Sequence, residues 1–274
     1  MKRKLFCEIS PTCYAISIKK EILRRHIKNL TSNINYAKDY QTERLGNVVS
    51  RYEGGMIKTG KGIDPVLQEN KAINIEIACR KLDGLLIRPG EEFSFWKTVG
   101  KITKRKGYKD GRVIEKNKIK PGIGGSLCNL GNTLHLLVLH SPLDVTEFHS
   151  HSDALAPDHG ERVPLSAGTS ISYNYLDFRF RNNTDQNFQL VAYCKDKKLI
   201  AELRSERAVD FDYALVEEDH HFEKEDGKYY RVSKIYKTTV EKATGKTVDK
   251  KLILDNHSEV MFDYDLIPKE LVRQ

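Results

Sequence analysis

One cysteine of this chain stands where a thiol could do chemistry. Cys128 follows the run Pro121-Gly122-Ile123-Gly124-Gly125-Ser126-Leu127 and opens an apolar stretch that ends at Leu139. A thiol at the first turn of a helix faces the positive end of the helix dipole, which favours its thiolate. The free N–H groups of that turn, here those of Cys128 and Asn129, suit a developing oxyanion. Gly124 and Gly125 keep side-chain bulk away from the sulfur, so a substrate could approach it closely. Further on comes Phe148-His149-Ser150-His151-Ser152-Asp153. On a strand His149 and His151 share one face. One is then a candidate base for the thiol proton, and the other, with Ser152, a candidate substrate contact. Asp177, among the apolar residues of Tyr175-Leu176-Asp177-Phe178, either orients an imidazole or is an ordinary edge-strand aspartate. Cysteine first and histidine later is the order of many thiol acyl-transfer enzymes.

The same residues admit other readings. Cys128 also fits a small buried hydrophobe. His149, His151, Asp153, Asp158 and His159 are metal-ligand types, which gives a metal-dependent hydrolase as an alternative. Their spacing matches no standard ligand set, so no metal is assigned. No cofactor is implied either, since Gly60-Lys61 lacks the glycine spacing and the Ser/Thr of a phosphate loop. His135 and His140, on the cysteine's own helix, read as packing or capping residues, and His220-His221 as solvated loop.

These residues need a scaffold, and the periodicity predicts an α+β fold: an antiparallel sheet packed around one buried helix carrying Cys128, with a small β-rich C-terminal appendage. Helices are expected over 15–30, 69–84 and 127–140. Strands are expected at 85–87, 93–96, 144–149, 169–180, 188–193 and 198–204, with a hairpin around Lys116-Asn117. Residues 31–66 read as polar, with turns at Tyr52-Glu53-Gly54-Gly55 and Thr59-Gly60-Lys61-Gly62. The organisation is a basic amphipathic segment over 1–44, a central domain over 45–207 and the appendage over 208–274. In the first segment Ile18, Ile22, Leu23, Ile27 and Leu30 recur at helical spacing beside Lys19, Lys20, Arg24, Arg25 and Lys28. That helix either docks its apolar face on the core or lies on an anionic membrane surface.

Composition narrows the partners. The 274 residues carry a formal charge of +8, which favours anionic partners. There is no zinc finger, RNA-recognition aromatic motif or helix-turn-helix pattern, so nucleic acid is not expected. Five scattered cysteines without a CxxC pair fit free thiols in a reducing compartment. Met1-Lys2-Arg3-Lys4 is followed by Cys7 to Thr12 rather than by the apolar run of a signal peptide. The expected location is cytoplasmic, peripheral at the inner membrane face.

The ordered blocks Asn70-Lys71-Ala72-Ile73-Asn74-Ile75, Leu82-Asp83-Gly84, Arg88-Pro89-Gly90-Glu91-Glu92-Phe93-Ser94-Phe95, Gly107-Tyr108-Lys109, Pro121 to Gly125, Cys128, Thr133-Leu134, His149-x-His151-Ser152 and Asp177 to Asn183 resemble the VanW family over about Asn47 to Arg207. The resemblance implies an accessory role in glycopeptide (vancomycin) resistance and cell-wall metabolism. It also implies a cysteine nucleophile of the L,D-transpeptidase kind acting on peptidoglycan stem peptides or precursors. Carried over, the nucleophile is Cys128, with His151 the better-matched histidine and His149 beside it. Lys104, Arg105, Lys106 and Lys109 would meet the anionic substrate. A non-catalytic module that binds a wall precursor is the alternative. The family run Gly-Gly-Gly-Ile-Cys-Gln-Val-Ser-Ser-Thr is here Gly124-Gly125-Ser126-Leu127-Cys128-Asn129-Leu130-Gly131-Asn132-Thr133.

Overall fold

The computed structural model describes residues 5–59, 63–115, 118–150, 153–154, 157, 164 and 168–273. In chain order its elements are α1 (Phe6–Ile9), α2 (Pro11–Thr31), β1 (Asn47–Gly55), α3 (Pro65–Leu82), β2 (Leu86–Ile87), β3 (Glu92–Ser94) and α4 (Phe95–Val99). There follow β4 (Asp110–Glu115), β5 (Lys118–Ile123), α5 (Cys128–Leu139), β6 (Asp144–Glu147), β7 (Asp153–Ala154) and β8 (Arg179–Arg181). The chain ends with β9 (Phe188–Lys195), β10 (Lys198–Ser205), β11 (Phe211–Glu225), β12 (Lys228–Glu241), β13 (Thr247–Val260) and β14 (Val272–Arg273). Strands join as β1-β10-β9-β2, β3-β8-β6, the hairpin β4-β5, and β14-β11-β12-β13-β7. Pairing is antiparallel except at β11–β14 and β13–β7, so the class is α+β.

Local chemistry starts the long helices. Ser10 accepts from the Cys13 N–H (3.1 Å) ahead of Pro11 in α2, and Asp64 accepts from the Val66 N–H (2.8 Å) ahead of Pro65 in α3. Helical spacing then places Ile75, Ala78, Cys79 and Leu82 of α3, and Leu130, Leu134, Leu137 and Val138 of α5, in one core. α5 packs against β1, β6 and β10. Phe93 and Phe180 stack across β3 and β8 with ring centres 4.7 Å apart. The appendage strands β11 to β13 form a long meander with its own small core around Phe222, Val260 and Ile267. Lys237 of β12 reaches back to the Ser141 carbonyl (2.5 Å) just beyond α5.

Several sequence expectations need correction. Residues 47–55 are not a turn region but strand β1, paired with β10 from Asn47 opposite Ser205 to Gly55 opposite Lys198. Its polar residues meet charges across the sheet, Arg51 on Glu202 and Glu53 on Lys198. Phe95 and Trp96 leave the strand and start α4, because the Ser94 hydroxyl accepts from the Lys97 N–H (3.2 Å) as a cap. Most of 169–180 is not strand: Ser172 accepts from the N–H groups of Tyr175 and Leu176 (both 3.0 Å), and only Arg179 onward pairs. His221 is no solvated loop; it is buried within β11, with Nε2 2.9 Å from Glu223.

The glycine turn ahead of α5 is fixed by backbone contact. Gly124 donates to Lys109 (2.9 Å), Ser126 donates to Arg112 (2.9 Å), and the Asn74 amide of α3 donates to the carbonyls of both Lys109 and Gly125 (3.1 Å each). A Cβ on Gly125 would sit 2.2 Å from the Gly111 carbonyl carbon, and one on Gly124 2.5 Å from Ile102. These glycines therefore let β4 and the turn close on each other. His135 of α5 is fully buried between Phe148 and Phe178, with ring centres 4.9 and 5.3 Å away. Neither of its ring nitrogens has a hydrogen-bond partner among the described residues. Burial pulls its pKa down to about 4.

Two outcomes are expected. Gly125→Ala should lower the unfolding free energy in urea by more than about 2 kcal/mol, whereas Gly46→Ala, which meets nothing within 4 Å, should stay within about 0.5 kcal/mol. The folded protein keeps His135 neutral down to about pH 4, while the unfolded chain protonates it near pH 6.5. Its contribution is thus complete above about pH 6.5 and is lost as pH falls toward 4. Urea titrations across that window should show a steeper loss for the wild type than for His135→Leu.

Candidate functional site

Cys128 is the first residue of α5, half-buried, with its sulfur 3.6 Å from the Ile171 carbonyl. Burial pushes the thiol above its ordinary pKa, and backbone contacts at Ile171 and at Cys128 itself offset this only in part. The direction is opposite to that expected from the helix dipole alone, because removing a thiolate from water outweighs a partial charge at the helix end. Of the two N–H groups read as oxyanion donors, that of Asn129 donates to the Ser126 carbonyl (3.1 Å).

Segment 169–171 runs beside the start of α5 and holds the histidine strand. Asn132, one helical turn beyond Cys128, accepts from the Thr169 N–H (2.8 Å). The Ser170 N–H donates to the His149 carbonyl (2.7 Å), and the His149 N–H donates to the Thr169 hydroxyl (3.3 Å). Cys128 and His149 are thereby attached to one three-residue strip of backbone.

The carboxylate at the His149 ring is Glu147, with Oε1 2.8 Å from Nε2. Glu147 also receives both arms of Arg25 from α2 (2.5 and 2.6 Å) and lies 3.5 Å from Arg179. Burial pushes its pKa up, but the His149 and Arg25 hydrogen bonds and the two guanidinium charges bring it to about 2. Asp177 is fully buried and accepts from the Ser94 hydroxyl (2.6 Å), the Trp96 N–H (3.1 Å), the Phe178 N–H (3.0 Å) and Arg179 Nε (2.8 Å). It fastens β3, α4 and β8 to one another.

His151 and Ser152, and with them Asp158 and His159 of the metal reading, lie outside the described residues. Among the described residues, the ligand-type groups close enough to share one ion are Glu223, Glu225 and His257 on the appendage meander. His140 ends α5, its Nδ1 2.8 Å from the Leu136 carbonyl. Sequence reasoning missed Glu147, Arg25, Asn132 and Thr169. Glu147 stands two residues before His149, the strand spacing that puts both on one face, and was readable. Arg25 meets Glu147 across 122 residues and was not.

Residues 70–204 match the family model described as VanW like protein. The vancomycin B-type resistance protein VanW of Enterococcus faecalis is 28% identical over 227 residues, which span 83% of this chain and 82% of that protein. The uncharacterized protein YoaR of Bacillus subtilis is 28% identical over 145 residues, 53% of this chain but only 42% of that protein. No solved structure matches significantly. Residues 70–204 thus form a VanW-like domain, and the likeness to VanW extends beyond it over most of the chain.

Proposed function

We propose that this chain acts in cell-wall metabolism linked to glycopeptide resistance, as the name of its Enterococcus faecalis relative suggests, and that Cys128 transfers an acyl group of a peptidoglycan stem peptide or precursor. The observation that carries this reading is the shared strip: Ile171 lies on the sulfur while Thr169 and Ser170 hold the backbone of His149. In the reaction the Cys128 sulfur attacks a stem-peptide carbonyl carbon after its proton passes to His151 or His149. The C–N bond then breaks, and the amine leaves with that proton. An acceptor amine attacks the resulting thioester, and the thiol is restored. The N–H of Cys128, the first residue of α5, would serve as a donor to the developing oxyanion. Lys104 and Arg105, exposed ahead of β4, are the cations that would meet a carboxylate-rich substrate.

One observation favours a second reading. A thiol raised by burial, in a site whose His149 imidazole is already paired with Glu147, suits binding of a precursor without transfer. The two are separated by following iodoacetamide alkylation of Cys128 against pH, with and without a muramyl pentapeptide. Without peptide the half-maximal rate should fall above the free-thiol value of about 8.5, as burial requires. With peptide, the transfer reading expects that midpoint to drop, a thioester adduct to appear by mass spectrometry, and both effects to weaken in His151→Ala or His149→Ala. Pentapeptide binding unchanged in Cys128→Ala, with no adduct in the wild type, would leave the binding module.

A further inference from the structure

Helix α2 carries two unlike faces. Toward the protein it presents Tyr14, Ile18, Ile22, Arg25 and Asn29, all half-buried. Arg25 holds Glu147, Asn29 accepts from Arg179 (2.7 Å), and the Ile22 carbonyl accepts from Asn174 (3.5 Å). On the opposite side the helical period aligns Ile16, Leu23, Ile27 and Leu30, which are 50%, 60%, 53% and 86% exposed. Exposed Leu5, Phe6 and Ile9 lie just ahead of this stripe. The same geometry puts Lys20, Arg24 and Lys28 along one border and Lys19 and His26 along the other, all exposed. Glu21 is the helix's one acidic residue, and it is paired with Arg24 (2.8 Å).

A surface helix of a globular protein ordinarily turns its apolar stripe to the core. Here the inner contacts are largely polar, and the stripe faces water between a row of three cations, Lys20, Arg24 and Lys28, and Lys19 on the other border. We propose that this face of α2 lies in the surface of an anionic lipid bilayer, with the apolar side chains at the headgroup–acyl boundary and the lysines and arginines on lipid phosphates. Charge complementarity selects that occupant. A second copy seated on the stripe would bring these lysines and Arg24 against the same cations of its partner, in a chain of net charge +8. The contact is interfacial, since no helix of the described residues is long and apolar enough to cross a membrane. It does not depend on the chemistry at Cys128. It does set an orientation, because Arg25 ties α2 to the strand that leads to His149.

The test is sedimentation of the full chain with vesicles of phosphatidylglycerol and phosphatidylcholine, and with phosphatidylcholine alone. The wild type should bind the anionic vesicles, bind neutral ones at least tenfold more weakly, and release as salt is raised. Leu23→Gln with Ile27→Gln should weaken anionic binding at least tenfold while the melting temperature holds, since both side chains are exposed. Lys20→Gln with Arg24→Gln should weaken it several-fold and flatten the salt dependence. Absence of binding to anionic vesicles, or equal binding by the wild type and the Leu23/Ile27 variant, overturns the proposal. So does a wild-type dimer that this variant abolishes in the absence of vesicle binding, which would give the stripe to a second copy.

Discussion

The guanidinium of Arg179, with 4% of its side chain exposed, is the charge around which the rest of this structure is arranged. A buried cation is tolerated only when its donors and its charge are matched. Its Nε donates to Asp177 (2.8 Å), and its terminal nitrogens donate to the Tyr36 hydroxyl (2.8 Å) and to Asn29 (2.7 Å). Glu92 and Glu147 stand 3.6 and 3.5 Å away. Five chain segments, α2, the Tyr36 loop, β3, β6 and β8, meet at this one side chain. None of them can move far without leaving a buried charge exposed to an apolar core. Arg25 on Glu147 adds a second cation on the same carboxylate, so α2 is tied to the domain chiefly through ion pairs and hydrogen bonds.

That arrangement explains what the residue order could and could not reveal. α5 was legible because a local signal, a glycine turn followed by Leu130, Leu134, Leu137 and Val138 at helical spacing, coincides with burial. β1 was not, because its stability comes from β10, about 150 residues away, and its own residues look like turn. Asp177, read as orienting an imidazole or as an ordinary edge-strand aspartate, is fully buried and meets no imidazole among the described residues; its donors are Ser94, Trp96, Phe178 and Arg179, and the first two, 83 and 81 residues away, were unreadable without the fold. The glycines before Cys128 were read as room for a substrate; the room is filled by the backbone of Gly111 and by Ile102. The helix expected over 15–30, observed as Pro11–Thr31, was read as docked or membrane-bound through one apolar face. In fact Ile18 and Ile22 turn inward while Leu23, Ile27 and Leu30 do not.

Cys128 and Glu147 show two opposed electrostatic tendencies. At Cys128 burial favours the neutral form, so the resting thiol keeps its proton. At Glu147 two arginines and an imidazole overcome burial and hold a negative charge.

The short strand β7 gives the appendage a role that its distance along the chain conceals. Asp153 and Ala154 lie parallel to Glu259 and Val260 of β13, and the Met261 N–H donates to Ala154 (3.0 Å). His149 is pinned on the other side by Thr169 and Ser170. The chain through the histidine motif therefore enters and leaves between two fixed points, one belonging to the central domain and one to the C-terminal meander. The C-terminal meander thus holds a short strand that the chain reaches about a hundred residues earlier, and a fragment cut near 207 would leave β7 without its partner.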